Sequence, residues 1–187
     1  MLVMPKSNEA FRVIGLDPGS SNLGVSLLEN ALDDSPSVVV ESYTVKLKEN
    51  QFGYAAIGDQ HGGRVVRLMI LFDTVLNIMR THKPHAIIIE SNYLGKFAQS
   101  VAALVECVIT IRQAVYAYDP FMQLYLIDPT TVKINTGMKK VKGTSKEDVR
   151  EHLRLCTKLK WAVDIDSLDE HAIDASAIAY YYTSQLL

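Results

Sequence analysis

Three acidic residues stand where the surrounding sequence predicts buried secondary structure. Asp17 follows the apolar run 11–16, Glu90 follows the apolar run 86–89, and Asp174 lies among alanines and isoleucines. A carboxylate among buried residues is costly unless it is paired, hydrogen-bonded or bound to a metal. Clustered carboxylates suit octahedral Mg²⁺ or Mn²⁺, and two such ions about 3.5–4 Å apart can promote phosphodiester cleavage. The pattern predicts metal-dependent chemistry on a phosphodiester.

A histidine accompanies the third of these acids. His171 precedes Asp174 by three residues, so a helix would place both side chains on one face. His171 can act as a fourth ligand or can orient or protonate a water; the alternative is a histidine on the helix surface. Glu170 can reach the same site, whereas Asp169 is expected to cap the helix or to face solvent. Whether His171 or Glu170 completes the site stays open.

The charge of the chain is unevenly distributed. Its 187 residues carry a net charge of −2 and are 48% hydrophobic, which suits one domain over 1–187 and excludes a disordered, collagen-like or coiled-coil protein. Residues 133–160, however, hold nine lysines and arginines against three acids, a net +6 that leaves −8 elsewhere. Such a basic segment can contact a polyanion, although a solvated helix and loop would have the same composition.

Hydrophobic spacing predicts the elements that position these residues. We expect strands at 11–16, 23–29, 37–47, 86–89 and 123–127. Helices are expected at 64–81, 96–118 and 167–186, and a further helix is expected to begin at Ser145. The remaining segments are a flexible start at 1–10, a loop at 48–63 and a lysine-rich loop at 134–145. An antiparallel start followed by β-α-β crossovers implies an α/β protein. Its mixed five-stranded sheet would have helices on both faces, which is the ribonuclease H-like architecture.

Cysteine content and hydropathy favour a soluble intracellular protein. Cys107 and Cys156 form neither a disulfide framework nor a metal-ligand spacing. We expect no membrane partner, because no apolar run approaches the roughly 18 residues of a membrane span and the first ten residues lack the apolar core of a signal peptide.

Four stretches, taken together, resemble the RuvC-type Holliday junction resolvases among the ribonuclease H-like nucleases. They are 14–20 with Gly24, 87–93, the stretch 128–133 that leads through Gly137 and Gly143 to 145–146, and 171–179. The resemblance implies a homodimeric endonuclease that cuts four-way DNA junctions by paired cleavage. It further implies two Mg²⁺ or Mn²⁺ ions per site, held by Asp17, Glu90 and Asp174, with His171 where the family usually has an aspartate.

The same resemblance implies contacts to branched DNA. Lys133 and Lys146 resemble the basic residues of the family near the scissile phosphate, and the loop between them is lengthened by a run that contains Lys139, Lys140 and Lys142. Tyr93 resembles an aromatic residue that stacks on bases at the junction centre; the alternative is a core or interface aromatic. The helix at 96–118 would form the main dimer surface.

Other functions remain compatible with the sequence. Residues 17–22 with Gly24 also resemble the first phosphate loop of actin-like ATPases and sugar kinases, but those enzymes need a second domain and a second phosphate loop. A ribonuclease H-like nuclease for flaps or RNA–DNA hybrids would share the acidic residues. A non-catalytic junction-binding protein is the third alternative. A bacterial, phage or other viral source fits the sequence equally well, and an organellar precursor fits it less well.

Overall fold

The computed structural model of the protein describes residues 9–50, 53–91, 98–128, 131–132 and 146–186. The strands are β1 (Phe11–Pro18), β2 (Asn22–Asn30), β3 (Ser37–Lys46), β4 (Ala86–Glu90), β5 (Leu124–Ile127) and β6 (Leu159–Trp161). The helices are α1 (Ala55–His61), α2 (Gly63–His82), α3 (Ala98–Tyr118), α4 (Lys146–Leu155) and α5 (Glu170–Thr183), with a 3₁₀ turn at Ile165–Ser167. Residues 1–8 of the expected flexible start and the whole basic loop 134–145 lie outside the described residues.

The strands form one mixed sheet in the order β5-β4-β1-β2-β3-β6. β1, β2 and β3 pair antiparallel, whereas β4 and β5 run parallel to β1. The predicted mixed sheet of an α/β protein is therefore confirmed. β6 adds a sixth strand, parallel to β3, which was not predicted because three residues are too few to show a periodic pattern.

The predicted loop at 48–63 is wrong in part, because it contains α1. None of the residues of this short helix is buried. It therefore lacks the apolar stripe by which a helix is recognised in a sequence.

Two hydrophobic cores lie on opposite faces of the sheet. The run 86–89 shows this most clearly, because Ile87 and Ile89 pack into one core with α2 and α3, whereas Ala86 and Ile88 pack into the other with α4 and α5. A strand covered on both faces is expected to be continuously apolar. The predicted helices on both faces are thus confirmed, and the sheet is held rigidly between them.

By length and composition alone, α3 could cross a membrane over Val101–Tyr118. An apolar run of this length was not expected from the sequence. One face of α3 serves the first core, where Cys107, Ile111, Ala114 and Val115 are buried. Core helices of globular proteins pass the same test of length and composition, so this feature is weak evidence for a membrane.

Candidate active site

Two of the predicted carboxylates end neighbouring strands at the same edge of the sheet. β1 and β4 are parallel, and their register pairs Leu16 with Ile89. Asp17 and Glu90 are the next residues on the two strands, and both side chains are half-buried. The fold therefore places them side by side at the carboxyl ends of the strands, where open α/β sheets carry their sites.

Helix α5 brings the other candidate residues to this edge by an unusually close approach to the sheet. At Gly15 on β1, an added Cβ would overlap the Ala175 carbonyl oxygen and lie 2.8 Å from Ala179 Cβ. At Gly24 on β2, it would overlap the carbonyl oxygen of His171. Only glycine leaves room for the helix at these two positions, so the sequence of β1 and β2 determines how close His171 comes.

A buried cluster of hydroxyl groups fixes how α5 lies along the sheet. Ser176 Oγ lies 2.9 Å from Ser26 Oγ on β2 and 3.0 Å from Ser42 Oγ on β3, and it also bonds the Ala172 carbonyl at 2.8 Å. All three serines are buried. Sliding α5 by one residue would leave these groups without partners in an apolar core, which is costly.

The first turn of α5 is fastened by Asp169, which caps the helix as expected. Its carboxylate accepts a hydrogen bond from the Ala172 amide at 3.0 Å and another from the Thr44 hydroxyl on β3. Burial acts to raise the pKa of Asp169, but these hydrogen bonds outweigh it and hold the pKa below its ordinary value. The cap secures the turn that carries His171.

His171 contacts Asp17 directly. Its Nδ1 lies 2.8 Å from Asp17 Oδ2, and its Nε2 lies 3.3 Å from Asn22 Nδ2. Glu170 Oε1 is farther from Nε2, at 3.9 Å, and Asp174 is half-buried one turn further along α5. The structure thus brings His171 to Asp17 and leaves Glu170 beyond hydrogen-bonding distance of the ring.

Asn22 is a site residue that the sequence analysis did not identify. In the sequence it belongs to the stretch 17–22, which resembles a phosphate loop, and nothing there distinguishes it from its neighbours. Its partner His171 lies 149 residues away in the chain, so no local pattern could have indicated the contact.

The donor types at this edge suit a divalent cation, but the side chains do not yet converge on one point. Carboxylates and an imidazole are ligands that Mg²⁺ and Mn²⁺ accept. Among the residues that the structure describes, no three His, Cys, Asp or Glu side chains form a group that could hold a metal ion. Asp17 Oδ2 faces His171, and His171 Nε2 faces Asn22. A metal bound at His171 Nε2 therefore has to displace the hydrogen bond with Asn22.

A cleft of about 490 Å³ opens onto His171. It lies between the turn that joins β1 to β2 and the first half of α3. The lining residues are Gly19, Ser20, Ser21, Asn22, Ala103, Leu104 and His171. The cleft therefore adjoins the carboxylate edge through His171, which contacts Asp17.

The basic segment starts close to this edge. β5 is parallel to β4 and pairs Ile127 with Glu90, so residue 128 leaves the sheet beside Glu90. Val132 and Val149 are both buried in the second core, which anchors the two ends of the lysine-rich loop. Lys133, Lys139, Lys140 and Lys142 lie outside the described residues, as does Tyr93; the Lys146 backbone begins α4.

Two cations of the basic segment have structural partners. Arg150 donates to the Leu168 carbonyl at 2.9 Å and lies 3.5 Å from Glu147. Arg154 pairs with Glu151 at 2.9 Å and with Asp166. These arginines tie α4 to the chain before α5.

No protein-family model matches the chain, and no curated protein matches it by sequence. Solved structures do match over almost its whole length. RuvC of Thermus thermophilus, in complex with a Holliday junction substrate, has a TM-score of 0.67 at 19% identity, over 94% of this chain and 96% of its own. The yeast mitochondrial Holliday junction resolvase Ydc2 has a TM-score of 0.64 at 15% identity, over 94% and 80%.

A viral protein gives a third match. The fowlpox virus resolvase, in complex with its substrate Holliday junction DNA, has a TM-score of 0.54 at 10% identity, over 94% of this chain and 99% of its own. Identities this low speak for the fold alone. The resemblance in sequence is confirmed at that level: this chain has the ribonuclease H-like fold of the RuvC-type Holliday junction resolvases.

Proposed function

We propose that the protein is a metal-dependent endonuclease that resolves four-way DNA junctions by paired phosphodiester cleavage. The observation that carries this proposal is the meeting of Asp17 and Glu90 at the ends of adjacent parallel strands, with His171 of α5 bonded to Asp17. Proteins of the same fold have been solved with Holliday junction DNA, which supports a junction as the substrate.

In this proposal Asp17, Glu90 and Asp174 hold the metal. Bound Mg²⁺ or Mn²⁺, two ions per site, would supply an activated water and charge stabilisation at the scissile phosphate. The half-buried setting of the three acids keeps their charge close to the metal and partly away from solvent, where electrostatic interactions are stronger. His171 either joins the ligands or acts on Asp17 through the hydrogen bond between them.

The lysine-rich loop would bind the DNA backbone. In the sequence it follows β5, whose last residue Ile127 pairs with Glu90, so we propose that Lys133 and the run with Lys139, Lys140 and Lys142 bind phosphates near this edge of the sheet. Contacts to phosphates fix register and carry no sequence information directly, which suits a protein that selects DNA by shape. We further propose that Lys146 contacts a phosphate near the cut and that Tyr93 stacks on bases, an interaction worth about 1–3 kcal/mol per base.

Two copies of the chain would form the active enzyme. α2 and α3 expose apolar side chains on the side away from the sheet: Val65, Met69, Val105, Ile109 and Tyr116. Covering this surface with its counterpart in a second copy gives a two-fold symmetric contact. The symmetry would present two active sites to two strands of one junction, which accounts for paired cleavage. We propose that this homodimer is soluble and intracellular.

The proposal is tested by comparing four substrates that differ only in architecture. A four-way junction, a flap, an RNA–DNA hybrid and a linear duplex of shared sequence are incubated with the full chain and either Mg²⁺ or EDTA. We expect paired symmetric cuts in the junction with Mg²⁺ and none with EDTA. Preferential cutting of the flap or hybrid would replace junction resolution with another nuclease activity, and tight junction binding without any cut would indicate a binding protein.

A further inference from the structure

Both ring nitrogens of His171 have a partner, and the two partners differ in what they can offer. Asp17 faces Nδ1 at 2.8 Å with a carboxylate oxygen, and Asn22 faces Nε2 at 3.3 Å with its amide nitrogen. An ionised carboxylate only accepts hydrogen bonds, whereas an amide NH₂ only donates them. This pair of partners is satisfied when Nδ1 carries the proton and Nε2 accepts.

We propose that Asn22 is a positioning residue that reinforces the Nδ1–H tautomer of His171, in which the ring donates a hydrogen bond to Asp17 through Nδ1 and accepts one from Asn22 at Nε2. This inference rests on the proposed function in one respect, because the role of Asp17 as a metal ligand comes from that proposal. In this arrangement His171 orients the carboxylate of Asp17. Histidine and carboxylate partners next to a metal ligand commonly act in this way.

The backbone around Asn22 is held firmly enough for such a role. Asn22 is the first residue of β2, where it pairs with Lys46 of β3. Its carbonyl accepts a hydrogen bond from the Gly19 amide at 2.9 Å, and the Ser21 carbonyl accepts one from Leu47 at 2.8 Å. The side chain is half-buried at the wall of the cleft. The side-chain amide of Asn22 therefore extends from a backbone position that is fixed by these hydrogen bonds.

The ring is equally well placed from the side of α5. The Asp169 cap fixes the first turn of the helix, and the close approach at Gly24 fixes the His171 backbone against β2. Glu170, the other group near Nε2, lies 3.9 Å away, beyond the range of a hydrogen bond. Asn22 is thus the nearer of the two groups and the one in hydrogen-bonding range of Nε2.

The tautomer can be observed directly, without DNA, metal or activity. Uniformly ¹⁵N-labelled full chain is studied by long-range ¹H–¹⁵N correlation of the histidine rings at alkaline pH, where ordinary imidazoles are neutral. The chain has five histidines, and the His171 signals are those lost in His171→Gln. We expect the Nδ1–H pattern for His171 in the wild-type protein. An Nε2–H pattern would overturn the proposal.

Substitutions of Asn22 separate its role from a general effect on the fold. Asn22→Asp keeps the shape but offers Nε2 only an acceptor, so Nε2 then competes with Nδ1 for the ring proton and we expect the Nδ1–H population to fall. Asn22→Ala removes the donor at Nε2 and should lower the Nδ1–H population less, because Asp17 still accepts from Nδ1. Ser21→Ala removes a hydroxyl from the same turn and should leave the Nδ1–H pattern intact. Circular dichroism verifies that each variant is folded.

The outcome does not depend on whether the protein is a nuclease. Folded Asn22→Asp and Asn22→Ala variants that both retain the wild-type Nδ1–H population would show that Asn22 does not reinforce the tautomer, even if the wild-type protein cuts junctions. A protein that cuts no DNA but shows this fall in the Nδ1–H population would retain the assignment of Asn22 and lose the proposed function. If both proposals hold, Asn22→Asp should also slow cleavage by about 10- to 100-fold, the usual effect of changing a partner of a metal ligand.

Discussion

Gly24 on β2 and His171 on α5 lie in backbone contact, and the absence of a side chain at Gly24 makes that contact possible. A Cβ at this position would overlap the carbonyl oxygen of His171 and lie 3.1 Å from Asp17 Cβ. Asp17 and Gly24 are paired in the β1–β2 register. Gly24 therefore helps to set how closely the helix that carries His171 approaches Asp17.

Gly24→Ala is predicted to destabilise the protein and to disturb the site. The added methyl group meets backbone atoms, which cannot turn aside as a side chain would, so we expect a loss near the upper end of the 1–3 kcal/mol that is typical of overpacking. Urea unfolding measures the loss. The histidine ring correlations described above should also report a changed environment for His171.

Gly58→Ala is the control for this substitution. Gly58 lies in α1, and the nearest atom to an added Cβ is Val66 Cγ2 at 3.4 Å, an ordinary packing distance. Alanine is favoured over glycine inside a helix by about 1 kcal/mol, so this variant should be at least as stable as the wild type. Equal destabilisation by both substitutions would contradict the role assigned to Gly24.

The elements of this fold that repeat a pattern along the chain were predictable, and the contacts between distant segments were not. The run 86–89 indicated a strand covered on both faces because each of its residues is apolar. In the structure all four residues are buried. α1 and β6 escaped prediction because one is wholly unburied and the other is three residues long.

The same division applies to the candidate site. Asp17 and Glu90 were predicted to occupy equivalent strand ends, and the parallel pairing of β1 with β4 places them so. Asn22 was missed because its significance depends on a ring 149 residues away. Asn22 meets His171 because the close approach at Gly24 brings α5 onto β2, and this contact between distant segments leaves no local pattern in the sequence.

His85 is predicted to make the protein less stable under mildly acidic conditions. Burial, followed by the nearby Arg12 guanidinium, lowers the pKa of His85 from its ordinary 6.5, although Glu9 opposes the shift. The unfolded chain then binds more protons than the folded one below about pH 6.5, so stability is complete above that pH and declines as pH falls toward the lowered pKa.

His85→Asn isolates this contribution. The ring Nδ1 of His85 accepts a hydrogen bond from the Arg12 amide at 2.9 Å, and the Asn Oδ1 offers an acceptor near the same position without titrating. Unfolding free energies of the two proteins are measured from pH 8 to pH 5, roughly the range in which histidines titrate. The difference in unfolding free energy between the wild type and His85→Asn should narrow as pH falls. A difference that stays constant with pH would exclude His85 as a source of the pH dependence.

Changing Lys139, Lys140 and Lys142 together to alanine is predicted to flatten the salt dependence of junction binding. Each phosphate contact contributes about 0.9 to the slope of log K against log salt. Loss of three contacts should therefore reduce the slope by about 2 to 3, measured by fluorescence anisotropy across a salt series. An unchanged slope would remove this loop from the DNA interface.

Ile109→Glu is predicted to convert the proposed homodimer into a folded monomer. Ile109 is 50% exposed on the surface of α3 that faces away from the sheet, and a two-fold contact would bury the new carboxylate twice. Light scattering gives the mass. Leu155→Glu is the matched control, because Leu155 is 70% exposed on α4 at the other face of the sheet. A dimer that survives Ile109→Glu, or a wild-type monomer, would contradict the assigned interface.

The central claim is that the carboxylates at the ends of β1 and β4, together with Asp174, perform phosphodiester cleavage. Its most direct test is the rate of junction cleavage in Mg²⁺ by Glu90→Gln and Asp174→Asn, with junction affinity measured on the same samples. Glu29→Gln is the control, since Glu29 pairs with Arg12 at the opposite end of β1. We predict no detectable cleavage by the first two variants with affinity largely retained, and cleavage at the wild-type rate by the control. Substantial cleavage by Glu90→Gln or Asp174→Asn would contradict the account.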